Sequence, residues 1–277
     1  MGIKYAITLW SLPGNGGYSV KYASEAGLDG MQIELGALEN GYYMAEKKVQ
    51  QDYLEDGKKY GIEYPSLVLN GLSTHGFVGD EDGDDYKIAA ESLGLSLDVA
   101  EDMGIGLIML PQFWSNEIID DRSFDNTVKV LKKYCKNALE RGIKIASETI
   151  LPADRQIELM KAVDMPNLST LYDSQNYYFF YGYSQKEVLE KLYPYISDQV
   201  HIKDGTGLDG KGGVLSGALL GEGDSDLQAS VDILKKNNFE GWLILENYYY
   251  LNEFRTMEIG QFGAVERDIK YLKSLFA

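Results

Sequence analysis

The sequence predicts an α/β barrel of eight parallel strands alternating with eight helices, and three observations lead to it. Short runs rich in Ile, Leu and Val recur along the chain, most of them apolar on both faces, as strands buried inside a parallel sheet are. Longer amphipathic runs lie between them, and several stop at a glycine followed by Ile or Leu. AGLDGMQI, YGIEYPSLV, MGIGLIML and RGIKIASE repeat this one phrase, with Gly where a helix is expected to end. Eight such units in 277 residues average about 35 residues each, the usual size of a strand–helix–strand step.

Taken in order, the first strand is read at 3–10 (IKYAITLW) and its helix at 17–27. The second strand, 29–35 (DGMQIEL), leads to a helix over 43–60 closed by Gly61. The third strand, 62–69 (IEYPSLVL), precedes a helix over 84–103 that stops at Gly104. The fourth, 105–110, precedes 124–141 and its stop at Gly142. Strand 143–148 (IKIASE) pairs with helix 154–164, and 168–173 (LSTLYD) with 184–193. The last two units join 197–204 (SDQVHIKD) to 226–238 and 241–247 (GWLILEN) to 260–276. An open, doubly wound sheet is the alternative for such alternation. Its first turn should carry G-x-G-x-x-G, whereas SLPGNGGYS contains GNGGYS, which does not fit. The count of eight favours the closed barrel. With no linker or low-complexity stretch, residues 1–277 are read as a single catalytic domain. The longest loop, 205–225, is Gly-rich, and a loop of that length in a compact domain is often functional.

Composition narrows the function. Hydrophobic residues at 44% and charged residues at 25% are ordinary globular values, which excludes a disordered or collagen-like chain. The net charge of −17 repels a phosphate backbone, so no nucleic-acid partner is expected. A single cysteine, Cys135, cannot form an internal disulfide and fits a reducing compartment. The start, MGIKYAITLW, lacks a secretory layout, and no apolar run approaches the ~18 residues of a membrane helix. A cytoplasmic protein with no membrane partner is expected.

In a barrel of this kind chemistry sits at the carboxyl ends of the strands. Strand two ends at Glu34, strand five at Glu148 and strand six at Asp173. Strand seven ends at His201 with Lys203 and Asp204, and strand eight at Glu246 with Asn247. Strands one and four end near Trp10 and Trp114, and strand three leads to Asn70 and then His75. Any one of these acids reads equally well as a solvated loop residue. Four polar groups at the same end of four consecutive strands do not. Three carboxylates and one imidazole converging on one point would repel unless a divalent cation held them. Oxygen-rich ligation with one His suits Mn²⁺ best, with Mg²⁺ or Co²⁺ next; a thiolate-rich zinc site is excluded by the single cysteine.

ASETI around Glu148, LYDSQN around Asp173, HIKDG around His201, LGEGDSD at 220–226 and GWLILEN around Glu246 occur in this order. With AGLDGMQIELG near residue 30, they resemble the sugar-phosphate isomerase/epimerase superfamily of xylose-isomerase-like TIM barrels over nearly the whole chain. The ketose 3-epimerases and pentulose-phosphate 3-epimerases are the nearest likenesses. The resemblance implies that Glu148, Asp173, His201 and Glu246 hold one divalent ion, most readily Mn²⁺, with Mg²⁺, Co²⁺ or Zn²⁺ also fitting. It makes Glu148 and Glu246 the acid–base pair. In the tagatose-type enzymes a His follows the strand-six Asp by three residues and an Arg follows the strand-seven His by six. Here these are Asn176 and Gly207, and the D-x-x-N form resembles the pentulose-phosphate branch. Endonuclease IV-like relatives need several imidazoles, and this chain has only His75 and His201.

The chemistry implied is proton transfer beside a ketone through a metal-stabilised enediolate, with the glutamates on opposite faces of a small sugar or sugar phosphate. Proton return to the other carbon would give isomerisation, and loss of a β-hydroxyl would give a dehydratase of the inosose type. A non-catalytic sugar-binding barrel is the alternative from another class. Glu34, Trp10, Trp114, Asn176, Lys203 and His75 are candidate substrate contacts. Each has a plainer reading: a salt bridge for Glu34 and Lys203, mouth packing for the tryptophans, an ordinary loop residue for His75. The aromatic runs 177–181 and 248–250 suggest a pocket cap or a subunit interface, so a homodimer or tetramer is expected. Glycines 205, 207, 210, 212 and 213 are read either as amide donors to a phosphate or as a flexible lid, and Glu222 as structural.

Overall fold

The computed structural model describes residues 2–14, 17–207 and 217–277. Eight strands form a closed barrel in chain order, each hydrogen-bonded to its sequence neighbours and the last to the first. They are β1 (Ile3–Thr8), β2 (Gly30–Glu34), β3 (Leu67–Val68), β4 (Leu107–Pro111), β5 (Lys144–Glu148), β6 (Leu168–Asp173), β7 (Ile196–Ile202) and β8 (Gly241–Leu245). The helices among them are α1 (Gly17–Glu25), α2 (Lys47–Tyr60), α3 (Asp84–Met103), α4 (Asp121–Glu140) and α5 (Ala153–Val163). The chain continues with α6 (Asn176–Tyr181), α7 (Gln185–Leu192), α8 (Leu227–Lys236), α9 (Asn252–Arg255) and α10 (Gly260–Phe276). No helix among the described residues is long and apolar enough to cross a membrane.

The expected strands are all present, in the expected order. β4 is buried at every position, and Ile145, Ala146, Val200, Ile202 and Leu243 to Leu245 are fully buried too. That is why these runs read as continuously apolar: each such side chain contributes about 1.5–3 kcal/mol by leaving water. The glycine stops hold as well. Gly61 and Gly104 take φ of 70° and 68°, left-handed values that cost glycine little.

By internal packing the chain divides into two compact units. The first comprises Met1–Met31, Asp56–Glu63 and Tyr172–Ala277. Within it β1 and β7 flank β8 in parallel, with Tyr5 opposite Leu243 and His201 opposite Ile244. A Cβ on Gly30 would lie 2.6 Å from the Trp242 ring, so only glycine fits where β2 begins. The second unit comprises Gln32–Glu55 and Tyr64–Leu171 and carries the parallel run from β3 to β6.

Several element boundaries differ from those expected by a few residues, and three differences have a clear local reason. The third strand shrinks from 62–69 to two residues plus an isolated Gly30–Glu63 bridge, because Pro65 lacks the N–H a ladder needs. The fourth helix starts earlier, since Asp120 Oδ1 accepts from the Ser123 amide at 2.8 Å and Ser123 Oγ accepts from the Asp120 amide at 3.0 Å. The aromatic run 177–181, read without secondary structure, is helical as α6.

Candidate metal centre

Four strands deliver the central groups. Glu148 closes β5, Asp173 closes β6, His201 lies in β7 and Glu246 directly follows β8. All four are buried, and one ligand atom from each lies within 4.8 Å of the others. These are the four residues expected from the sequence to share one ion.

The geometry of Asp173 is set by the chain that follows it. Its Oδ1 accepts the backbone N–H of Gln175 at 2.8 Å and of Asn176 at 2.6 Å, which starts α6. Its Oδ2 is buried and accepts no hydrogen bond among the described residues, although Lys203 Nζ is 3.1 Å away and His201 Nδ1 4.0 Å away. A buried carboxylate oxygen in that condition is costly unless a cation faces it. Together with the all-oxygen-and-imidazole donor set, this fits a divalent ion of the Mn²⁺, Mg²⁺ or Zn²⁺ kind.

Glu246 is fixed at both oxygens. Oε1 accepts the Trp10 indole N–H at 3.1 Å, while Oε2 accepts from Lys203 Nζ at 2.7 Å and lies 3.0 Å from His201 Nδ1. Burial opposes the charge of both acids but does not act on them equally. For Asp173 burial dominates and, with the charge of Glu246 added, raises the carboxyl above its ordinary range. For Glu246 burial is outweighed by the positive charges of His201 and Lys203, which hold it well below that range. Neighbouring carboxyls driven apart in this way are a mark of functional sites.

A clip of hydrogen bonds aligns the ends of β6 and β7. Ser174 Oγ donates to the Lys203 carbonyl at 2.7 Å and accepts the Lys203 amide at 2.9 Å, while the Ser174 amide donates to the His201 carbonyl at 3.1 Å. Beyond it the buried Asp204 gathers the following loop. Its carboxylate accepts the amides of Gly205, Gly221 and Gly223 at 3.0, 3.0 and 3.1 Å and the Ser225 hydroxyl at 2.6 Å. Asn247 accepts from the Asp204 amide at 3.0 Å and donates to the Ala218 carbonyl at 2.9 Å and to Asp268 Oδ2 at 2.8 Å. Tyr249 donates to the same Asp268 oxygen at 2.9 Å.

A family model described as xylose isomerase-like TIM barrel matches residues 20–275. The chain belongs to that family. A 2-epi-5-epi-valiolone 7-phosphate 2-epimerase from an Actinoplanes species is 27% identical over 250 residues, covering 90% of this chain and 88% of the relative. Among solved structures, D-psicose 3-epimerase from Clostridium cellulolyticum, crystallised with D-tagatose, superposes with a TM-score of 0.77 at 12% identity, covering 98% of this chain and 99% of its own. The IolI protein with a bound zinc atom superposes with a TM-score of 0.76 at 17% identity, covering 98% and 97%.

In this xylose isomerase-like barrel the remaining expected residues fall into distinct places. Trp10 and Lys203 touch Glu246 as described, and Asn176 reaches Asp173 through its backbone. In the second unit Glu34 accepts from Asn70 Nδ2 at 2.8 Å and from the Tyr43 hydroxyl at 3.3 Å. Trp114 is 52% exposed with φ of 50°, its ring 5.9 Å from that of Phe113. His75 is held on both ring nitrogens, by Asp85 at 2.7 Å and Glu39 at 3.2 Å. The acids outweigh burial and raise its pKa, the Asp85 hydrogen bond being the largest cause. A raised folded pKa contributes stability that is present below the unfolded value, about 6.5, and is lost as pH rises through the folded one. His75→Gln should therefore lower the Tm slightly at pH 6 and not at pH 9, checked by thermal melts across that range.

The Gly-rich loop reads differently once its amides are traced. The Gly205 amide donates to Asp204 and the Gly207 amide to Asp224 Oδ2 at 3.0 Å, so both are already engaged by carboxylates of the chain. Residues 210, 212 and 213 lie outside the described residues. Glu222 accepts from Arg267 at 2.9 Å, the structural part expected of it. Of the aromatic runs, Tyr177, Phe179 and Tyr249 are core, whereas Tyr181 and Tyr250 are exposed. Burial pushes the Cys135 thiol up to about 12, which suits an inert core residue.

Ser174, the gathering role of Asp204, and Asp268 do not stand out among the strand-end residues of the sequence. For Asp268 a signal existed: it falls with Ala264, Val265, Ile269 and Leu272 on the buried stripe of α10, where an acid needs partners.

Proposed function

We propose that this protein is a divalent-metal-dependent epimerase or isomerase acting on a ketose or ketose phosphate. The observation that carries the proposal is the buried quartet of Glu148, Asp173, His201 and Glu246 at consecutive strand ends. Its setting supports it, since the relative that spans 90% of the chain is an epimerase acting on a phosphorylated compound. Mn²⁺ is the ion best matched to three carboxylates and one imidazole, and Zn²⁺, as in IolI, is the nearest competitor.

When bound, the ion would polarise the ketone and stabilise the negative charge that develops on its oxygen. The chain supplies the proton traffic. One of Glu148 and Glu246 removes the proton from the carbon beside the ketone, and the other, protonated, returns one to the opposite face, which inverts that carbon. Trp10 and Lys203 engage both oxygens of the Glu246 carboxylate and so fix its orientation. Glu34, Trp10, Trp114, Asn176, Lys203 and His75 are the side chains proposed to meet the substrate.

The test is a panel of free, phosphorylated and cyclic ketoses incubated with Mn²⁺-loaded protein in D₂O and followed by NMR. Deuterium at the carbon beside the carbonyl, with an inverted or isomerised product, is the expected result. New unsaturation would replace the proposal with a dehydratase, and unchanged sugars across the panel would favour a binding protein.

A further inference from the structure

We infer that Lys203 is a built-in counter-cation that shares its carboxylate oxygens with the divalent ion and so sets how tightly that ion is held. The inference rests on the metal-site reading above and adds to it a residue that does not ligate.

The two acids that Lys203 touches each have one oxygen committed elsewhere. Asp173 Oδ1 is taken by two backbone amides and Glu246 Oε1 by the Trp10 indole. The oxygens left to face a cation are Asp173 Oδ2 and Glu246 Oε2. Lys203 Nζ stands at both, 3.1 Å from the first and 2.7 Å from the second. His201 Nδ1 reaches the same pair, at 4.0 and 3.0 Å. The lysine therefore occupies the ground on which an ion would bind these groups. It is itself buried, its backbone is clamped by Ser174, and its ammonium lies 5.3 Å from the centre of the Tyr248 ring, all of which limit its retreat.

Two consequences follow from elementary electrostatics. Without metal, the lysine neutralises negative charge that burial would otherwise make very costly, so the protein stays folded. With metal, an ammonium beside a divalent ion repels it and draws electron density from the shared oxygens, so affinity is lower than the bare ligand set would give.

The experiment uses the full-length protein stripped with EDTA, compared with Lys203→Met and with Lys203→Arg, which keeps the charge. Mn²⁺ binding is measured by calorimetry and unfolding by thermal melts with and without Mn²⁺. Lys203→Met should bind Mn²⁺ about tenfold or more tightly than wild type. Metal-free, it should melt several degrees lower than wild type, with the gap closing when Mn²⁺ is added, while metal-free Lys203→Arg stays near wild type. A Lys203→Met protein that folds only with Mn²⁺, beside a wild type that folds without it, supports the same role. Unchanged or weaker Mn²⁺ binding in Lys203→Met, or a metal-free melt equal to wild type, overturns it. Wild-type protein that binds no Mn²⁺ would overturn the metal reading itself, so the two failures are distinguishable.

Discussion

Glu246→Gln should lower turnover by a factor of roughly 10² or more, the scale of general acid–base catalysis, while leaving much of the metal bound. The amide keeps the length of the side chain and one oxygen donor but cannot take up a proton at neutral pH. In the native protein this carboxylate is held by Trp10 on one oxygen and Lys203 on the other, so the substitution alters basicity more than position. The check is kcat and bound metal measured on the same preparation with a proven substrate. Near-full turnover would place the proton carrier elsewhere and leave Glu246 as a ligand only.

The second large effect is on stability. Asp204→Ala should reduce the unfolding free energy by about 3 kcal/mol or more, because each buried donor left without an acceptor costs about 1–3 kcal/mol. The amides of Gly205, Gly221 and Gly223 and the Ser225 hydroxyl all end on this one carboxylate. Asp204→Asn, which keeps one acceptor, should lose less. Urea titrations of the three proteins decide it, and an alanine variant within about 1 kcal/mol of wild type would show that water replaces the carboxylate at little cost.

The contrast between Glu246 and Asp204 shows what a linear sequence discloses. Glu246 was legible because a carboxylate directly after the apolar run WLIL is conspicuous, and the same logic marked Glu148, Asp173 and His201. The barrel was legible because burial on both faces of each strand leaves a continuous apolar signature and the glycine stops punctuate it. Asp204 was visible as a strand-end acid, but its role depends on a loop that returns about twenty residues later, and spacing carries no trace of that return. Lys203 was ambiguous for a related reason. Its direction follows from the two-residue period with His201, yet only the fold shows that Asp173 and Glu246 present their remaining oxygens to it. The boundary errors were local: Pro65 cut a strand short, and the Asp120–Ser123 capping pair began a helix ahead of its first apolar residue.

The most direct test is the metal content of purified protein after chelation, reloading and dialysis, for wild type beside Asp173→Asn. The four-residue centre predicts about one divalent ion per chain in the wild type. It predicts clearly less in the variant, which loses the ligand oxygen Oδ2 but keeps the acceptor for its two backbone amides, with activity partly restored by excess Mn²⁺. A wild-type protein that is fully active on a ketose after exhaustive chelation, with no ion bound, would contradict it.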